Sequence, residues 1–112
     1  YIKEISQGAY VGKMVTKDEA RRYLNDVAPE QSFWLNNGPV LKSLKELAES
    51  LPQLNNETFQ HHVNKEKNDF SKWINDIIGD KQLANDLLSS RNKDSFLKKV
   101  NNRLNALKKK AS

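Results

Sequence analysis

The residues best suited to chemistry are the two histidines of this 112-residue chain, His61 and His62, which are adjacent. Consecutive residues of a helix point about 100° apart, so the pair cannot share one metal ion as histidines at i and i+4 would. His62 falls on the predicted helix face of Phe59 and Val63. We therefore expect a half-buried imidazole that hydrogen-bonds to a carboxylate or carbonyl, with Asp69 as one candidate, and an exposed His61.

The middle of the chain carries four aspartates, at Asp69, Asp76, Asp80 and Asp86. Grouped carboxylates can perform acid–base catalysis or bind Mg²⁺ or Ca²⁺, but this spacing does not match a calcium-binding loop. Each aspartate also has an ordinary structural role available, either as a helix cap or on a polar face. There is no cysteine, nucleophile elbow, phosphate-binding loop or paired-histidine zinc motif. We predict no catalytic residue, metal site, cofactor or small-molecule ligand, and a protein that is not an enzyme.

Positive charge is concentrated at the end of the chain. Residues 91–112 hold eight Lys or Arg against one acid, whereas residues 1–90 hold eleven against thirteen, and the whole chain carries +5. Basic side chains interleaved with asparagines are typical of phosphate contacts. The candidates for contact with nucleic acid or an anionic surface are Lys98, Lys99, Arg103, Lys108, Lys109 and Lys110. The same residues also suit the negative end of a helix dipole, or serve solubility alone.

Aromatic residues suggest a second kind of contact. Phe33 and Trp34 lie in a short segment that is followed by Asn36-Asn37-Gly38, a strong turn signal. If Trp34 is exposed, this segment is the best candidate for docking a partner protein. Trp73, in contrast, lies at helical spacing among other apolar residues and is predicted to be core.

The elements that must position these residues are helices, of which the clearest are in residues 68–88. Five apolar residues recur there at helical spacing: Phe70, Trp73, Ile74, Ile77 and Ile78. Asn68 or Asp69 can cap this helix, Gly79 suits its end, and Asp80 can cap the next one. The second helix of this corner is acidic, which argues against a DNA-reading helix–turn–helix.

The rest of the chain also has helical signals. Thr16 and Glu19 form a capping box, and the helix after it is expected to end before Pro29. Pro39 suits the first position of a further helix, and Asn92 or Asp94 can cap the last. We count six helices and no convincing interior strand. The prediction is an all-α, compact single-domain bundle of about five to six short helices spanning residues 16–112. An extended N-terminal arm of residues 1–15 precedes it, with a short strand at residues 9–11.

Several motifs occur together in a fixed order in this chain. They are Phe33-Trp34-Leu35-Asn36-Asn37-Gly38, Leu41-x-x-Leu44-x-x-Leu47, Phe59-x-x-His62-Val63, Asn68-Asp69-Phe70-x-x-Trp73-Ile74 and Gly79-Asp80-x-x-Leu83-Ala84. Over residues 16–107 the chain resembles a small prokaryotic domain family of unknown function, frequent in archaea, with an HV…NDFxxWIxDxxGDxxLA core. The resemblance implies an all-helical domain without an assigned activity, so it supplies no catalytic residues.

A well-patterned core without convergent chemistry favours a non-enzymatic helical interaction or accessory module that binds another protein. The alternative is a nucleic-acid-binding module that uses the basic C-terminal helix. An enzyme built on the carboxylates and His62 is the third choice, and it would require a deep pocket holding His62 beside Asp69. The chain contains no apolar run long enough to span a membrane, and we expect a cytoplasmic location. Because it begins at Tyr1, we also expect it to be part of a longer protein.

Overall fold

The computed structural model describes residues 14–36 and 38–112, which form six α-helices and a short hairpin. The helices are α1 (Lys17–Leu24), α2 (Leu44–Ser50), α3 (Asn56–His62), α4 (Asp69–Trp73), α5 (Lys81–Leu87) and α6 (Lys93–Ala111). The strands are β1 (Phe33–Trp34) and β2 (Val40–Leu41). The prediction of a compact, mostly helical fold is confirmed. The predicted arm and its strand at residues 9–11 lie almost entirely outside the described residues.

Every described α-helix begins at a side-chain cap. Six residues each accept a hydrogen bond from the backbone N–H group three residues later: Thr16, Ser43, Asn55, Asn68, Asp80 and Asn92. Where the sequence left two candidates open, Asn68 rather than Asp69 caps α4, and Asn92 rather than Asp94 caps α6. These caps satisfy donors that the helix itself leaves unpaired, which is why local sequence locates most helix starts well.

The hairpin is the main departure from the predicted fold. The prediction of no interior strand is wrong, because β1 and β2 pair antiparallel with Phe33 opposite Leu41 and Trp34 opposite Val40. The expected start of the next helix at Pro39 is also wrong, because α2 begins only at Leu44. Pairing the strands buries Phe33 and Leu41 together on one face, which a helix through Val40 and Leu41 would not do.

Helix α2 begins instead at a capping signal that the sequence analysis overlooked. The Ser43 hydroxyl accepts from the Glu46 backbone N–H, and the Glu46 carboxylate accepts from the Lys42 backbone N–H at 2.7 Å. Ser-x-x-Glu is a recognised helix-start pattern, so this boundary was readable from the sequence. The Lys42 carbonyl in turn accepts from the Val27 N–H at 2.7 Å, which ties the segment after α1 to the end of the hairpin.

One hydrophobic core joins the hairpin to the helices, and aromatic rings form its centre. Five of the buried rings are Phe33, Phe59, Phe70, Trp73 and Phe96. Phe70 stacks on Phe33 with ring centroids 4.7 Å apart and meets Phe96 edge-on at 5.5 Å. The predicted core position of Trp73 is confirmed, and its indole N–H donates to the Gln31 carbonyl. Helix α6 lies across α1, α2 and α5 and completes this core.

The corner between α4 and α5 is built as the sequence predicts, with one addition. The chain continues from α4 into a π turn at Ile74–Ile78, and Gly79 ends it with a φ of 93°. Other segments satisfy the last carbonyls of α5: the Ser71 hydroxyl donates to Ala84 and the Asn68 amide donates to Leu87. None of the described helices is long and apolar enough to cross a membrane.

Candidate functional site

The outer side of the hairpin presents an apolar surface, which we call the hairpin face and define by Trp34 and Val40. Trp34 is 74% exposed and Val40 is 38% exposed. The two residues pair across the strands, and opposite residues of an antiparallel pair project their side chains to the same side. The two residues beside them, Phe33 and Leu41, are buried on the other side. The hairpin therefore separates a core face from an outward apolar face.

The hairpin face is held in place by the core beneath it. Phe33, the neighbour of Trp34, stacks on Phe70 and meets Trp73 and His62 edge-on at centroid distances of 5.7 and 5.0 Å. Phe33 and Trp34 were both predicted as partner contacts. The structure buries Phe33, which leaves Trp34 as the member of the pair that is accessible to a partner.

His62 connects the hairpin turn to helix α4. Its Nε2 accepts a hydrogen bond from the Asn36 backbone N–H at 3.0 Å, and its Nδ1 lies 2.9 Å from Asp69 Oδ2. Because Nε2 is an acceptor, we assign the ring proton to Nδ1, which donates to the Asp69 carboxylate. The predicted pairing of His62 with Asp69 is thus confirmed. Both ring nitrogens are occupied, so the imidazole holds the structure together and has no nitrogen left for a substrate.

The surroundings favour a neutral imidazole and an ionised carboxylate. Burial lowers the pKa of His62, and the hydrogen bond and negative charge of Asp69 only partly oppose this effect. For Asp69, burial raises the pKa, but hydrogen bonds from His62 and Lys67 outweigh it and the net shift is downward. The Lys67 ammonium lies 2.9 Å from the same carboxylate oxygen that His62 contacts. Asp69 is therefore a structural acceptor for two donors.

A cleft of about 490 Å³ adjoins the hairpin face, and we call it the acidic cleft. Its apolar lining includes Pro39, Val40 and Leu54, and its charged lining is Glu46 and Glu49 of α2. Val40 belongs to both the cleft and the hairpin face, so the two surfaces are continuous. Sequence analysis missed this cleft because its walls come from the hairpin, α2 and the start of α3. Had the capping signal at Ser43 been recognised, the predicted helix would have started after Val40 and Leu41, the residues that form β2.

The predicted basic residues of α6 separate into two groups. Arg103 forms a two-point ion pair with the buried Asp80, with Nε–Oδ2 at 2.7 Å and Nη2–Oδ1 at 2.9 Å. The Lys99 ammonium donates to the Asp86 carbonyl and the Ser89 hydroxyl. Both side chains are therefore occupied within the fold. The remaining candidates are exposed, and they are Lys98, Lys108, Lys109 and Lys110.

The aspartates do not converge. Asp69 binds His62 and Lys67, Asp80 binds Arg103, and Asp76 accepts from the side-chain amide of Asn75. Within residues 14–36 and 38–112, no three His, Asp or Glu side chains are arranged to hold a metal ion.

Comparison with protein-family models, with curated proteins and with solved structures gives no match to this chain. The resemblance to a prokaryotic domain family stays a prediction.

Proposed function

We propose that this domain is a non-enzymatic protein-interaction module and that it binds its partner through the hairpin face. The observation that carries the proposal is Trp34, a tryptophan that is 74% exposed on a strand whose neighbouring residue is locked into the core. Tryptophan is enriched among the residues that dominate binding energy at protein interfaces. A contact residue on a fixed backbone also loses little conformational entropy on binding.

A single exposed apolar residue would carry little weight, because such residues are common on protein surfaces. Trp34 differs because a second exposed apolar side chain, Val40, lies directly opposite it and a partly apolar cleft adjoins both. The state of His62, with both nitrogens hydrogen-bonded, supports a non-enzymatic role. We also propose a cytoplasmic setting, since a chain without cysteine is compatible with a reducing compartment.

The experiment is affinity purification of the tagged full-length protein from its host, with and without nuclease, for wild-type, Trp34→Ser and Leu88→Ser. Leu88 is the matched control, because it is also a large apolar residue, 56% exposed, but lies at the end of α5. We expect wild-type and Leu88→Ser to retain a discrete partner that survives nuclease, and Trp34→Ser to lose it. Equal recovery with all three variants would contradict the assignment of the hairpin face.

A second candidate function is nucleic-acid binding by α6. The observation that favours it is the row of exposed side chains along this helix: Lys98, Asn101, Asn102, Asn105 and Lys109. Residues spaced in this way share one face of a helix, and lysine with asparagine suits phosphate and sugar contacts. Lys108 and Lys110 add exposed charge beside it.

The structure improves the test of this second function. Neutralising Arg103 would strip the buried Asp80 of its partner, so that variant would confuse misfolding with lost binding. The informative variant changes Lys98, Lys108, Lys109 and Lys110 together to glutamine. If α6 binds nucleic acid, anisotropy with a labelled oligonucleotide will show weaker affinity and a shallower salt dependence for this variant. An unchanged affinity would eliminate the function.

A further inference from the structure

We infer that the partner presents a lysine or arginine side chain beside an apolar residue, with the cation in the acidic cleft and the apolar residue on the hairpin face. This inference rests on the proposed function, because it identifies what the same surface would recognise. It follows from the continuity of the two surfaces through Val40 and from the charge of the cleft.

The cleft is negative on a chain that is positive overall. Among residues 14–36 and 38–112, its lining contains Glu46 and Glu49 and no lysine or arginine, whereas the whole chain carries +5. Glu46 is fixed in place because one of its oxygens accepts from the Lys42 backbone N–H. Glu49 is exposed on the same helix. A cationic side chain entering the cleft would meet two carboxylates on neighbouring turns of α2, and an acidic one would be repelled.

The apolar parts of this surface also suit a long basic side chain. Lysine and arginine lay their aliphatic stems along apolar surface while the charged end reaches a polar partner. Pro39, Val40 and Leu54 provide that apolar surface inside the cleft. Outside it, the exposed ring of Trp34 can take either an apolar neighbour or a cation over its face, and tryptophan is the strongest aromatic partner for a cation.

The chain itself contains a basic segment, which makes a second copy the main competing occupant. Lys108, Lys109 and Lys110 are exposed at the end of α6 and could enter the cleft of another molecule. Such a contact joins two different surfaces, so it would generate a reciprocal dimer, a closed ring or an open chain of molecules. Sedimentation velocity over a range of protein concentrations distinguishes this arrangement from binding to a separate partner.

The test uses short random peptides displayed on phage and selected against the whole wild-type chain. The best peptide is then synthesised, and its affinity is measured for wild-type, Trp34→Ser, the double variant Glu46→Gln/Glu49→Gln and a control. Glutamine at position 46 can still accept from the Lys42 N–H, so the start of α2 is preserved. The control is Glu30→Gln/Glu66→Gln, which removes two exposed carboxylates from outside the cleft.

We expect the selected peptides to carry net positive charge with a basic residue next to an apolar one. We expect Glu46→Gln/Glu49→Gln to weaken binding about tenfold, as for the loss of two partly exposed charge pairs, and the control to bind like wild-type. Selection of uncharged or acidic peptides, or equal binding by both double variants, would overturn the inference. So would self-association of the wild-type that the cleft variant abolishes.

The contact surface and the charge of its partner are tested by different variants. If Trp34→Ser weakens peptide binding and Glu46→Gln/Glu49→Gln does not, the hairpin face remains the contact surface and only the basic partner is eliminated. If Trp34→Ser changes neither peptide binding nor recovery of the cellular partner, the proposed function is overturned together with the inference.

Discussion

Asp80 combines two structural tasks in one side chain that is almost completely buried. It caps α5 by accepting from the Leu83 backbone N–H, and it binds the Arg103 guanidinium through both oxygens. A buried carboxylate is tolerated only where charge and hydrogen bonds compensate for lost water. Arg103 therefore belongs to the folded framework, although its position in a basic helix suggested contact with an external phosphate.

The first prediction concerns this pair. Arg103→Met should reduce the free energy of unfolding by about 3–5 kcal/mol, because it leaves the Asp80 carboxylate buried without its counter-charge. Lys98→Met on the exposed side of α6 should change it by no more than about 0.5 kcal/mol. Urea denaturation followed by circular dichroism measures both. Similar midpoints for the two variants would show that the ion pair does not contribute to stability.

His62 gives a prediction about pH. Its pKa is lowered in the folded state, chiefly by burial, so the unfolded chain binds its proton more readily. The stabilising contribution of the neutral imidazole is therefore complete above the ordinary pKa of about 6.5 and is lost as the pH falls below it. Protonating Nε2 would also remove the acceptor of the Asn36 N–H. The corresponding loss for Asp69, whose pKa is also lowered, begins only below its ordinary value of about 3.8.

We expect the free energy of unfolding of the wild-type to decrease from pH 7.5 to pH 5, by at most about 1.4 kcal/mol per pH unit for one proton. His62→Gln should remove most of this dependence while retaining one acceptor and one donor. His61→Gln is the control, because His61 is exposed next to it on α3 and should leave the dependence in place. Chemical denaturation at a series of pH values provides the measurement, and a parallel response of His62→Gln and wild-type would disprove the assignment.

At the scale of elements, the corner between α4 and α5 depends on one glycine. Gly79 has a φ of 93°, in the left-handed region that residues with a Cβ disfavour. A Cβ added there would lie 3.6 Å from Tyr23 Cε1, an ordinary contact. The cost of a substitution is therefore conformational rather than steric, and it should depend on how well the new residue tolerates the left-handed region.

Gly79→Ala should consequently destabilise the protein by about 1–2 kcal/mol. Gly79→Asn should cost less, because asparagine visits the left-handed region more readily than alanine does. Thermal or urea unfolding can rank the two variants. Asparagine more destabilising than alanine would indicate crowding at this corner, contrary to the space that the structure provides.

At the scale of the molecule, the two tryptophans report on opposite faces of the hairpin. Trp73 lies in the core and Trp34 on the surface. In Trp73→Phe, the remaining Trp34 should emit at long wavelength and be quenched by acrylamide. In Trp34→Phe, the remaining Trp73 should emit at shorter wavelength and be protected. Equal quenching of the two variants would mean that the hairpin face is covered in solution, and Trp34 would then be unavailable to a separate partner.

Local patterns predicted much of the framework but little of the candidate site. Features that depend on residues within a few positions of one another were predicted correctly. They are the apolar stripe of Phe70 and Trp73, the helix end at Gly79 and the helix cap at Asp80. The pairing of His62 with Asp69 could also be predicted, because the two residues are only seven positions apart in the chain, on either side of one turn. The hairpin face could not be predicted from local patterns. Trp34 and Val40 lie opposite each other because the two strands pair, whereas the spacing of apolar residues in 40–51 predicts a helix.

The sequence by itself specified the mostly helical class, most α-helix starts and the core position of Trp73, because caps and apolar periodicity act over one or two turns of chain. Tertiary structure alone decided that Arg103 turns inward to Asp80, that Phe33 is buried while Trp34 is exposed, and that Glu46 and Glu49 line a cleft with the hairpin. Each of these depends on packing between segments distant in the chain. The spacing of a side chain within its own segment does not reveal which other segment packs against it and excludes water from it.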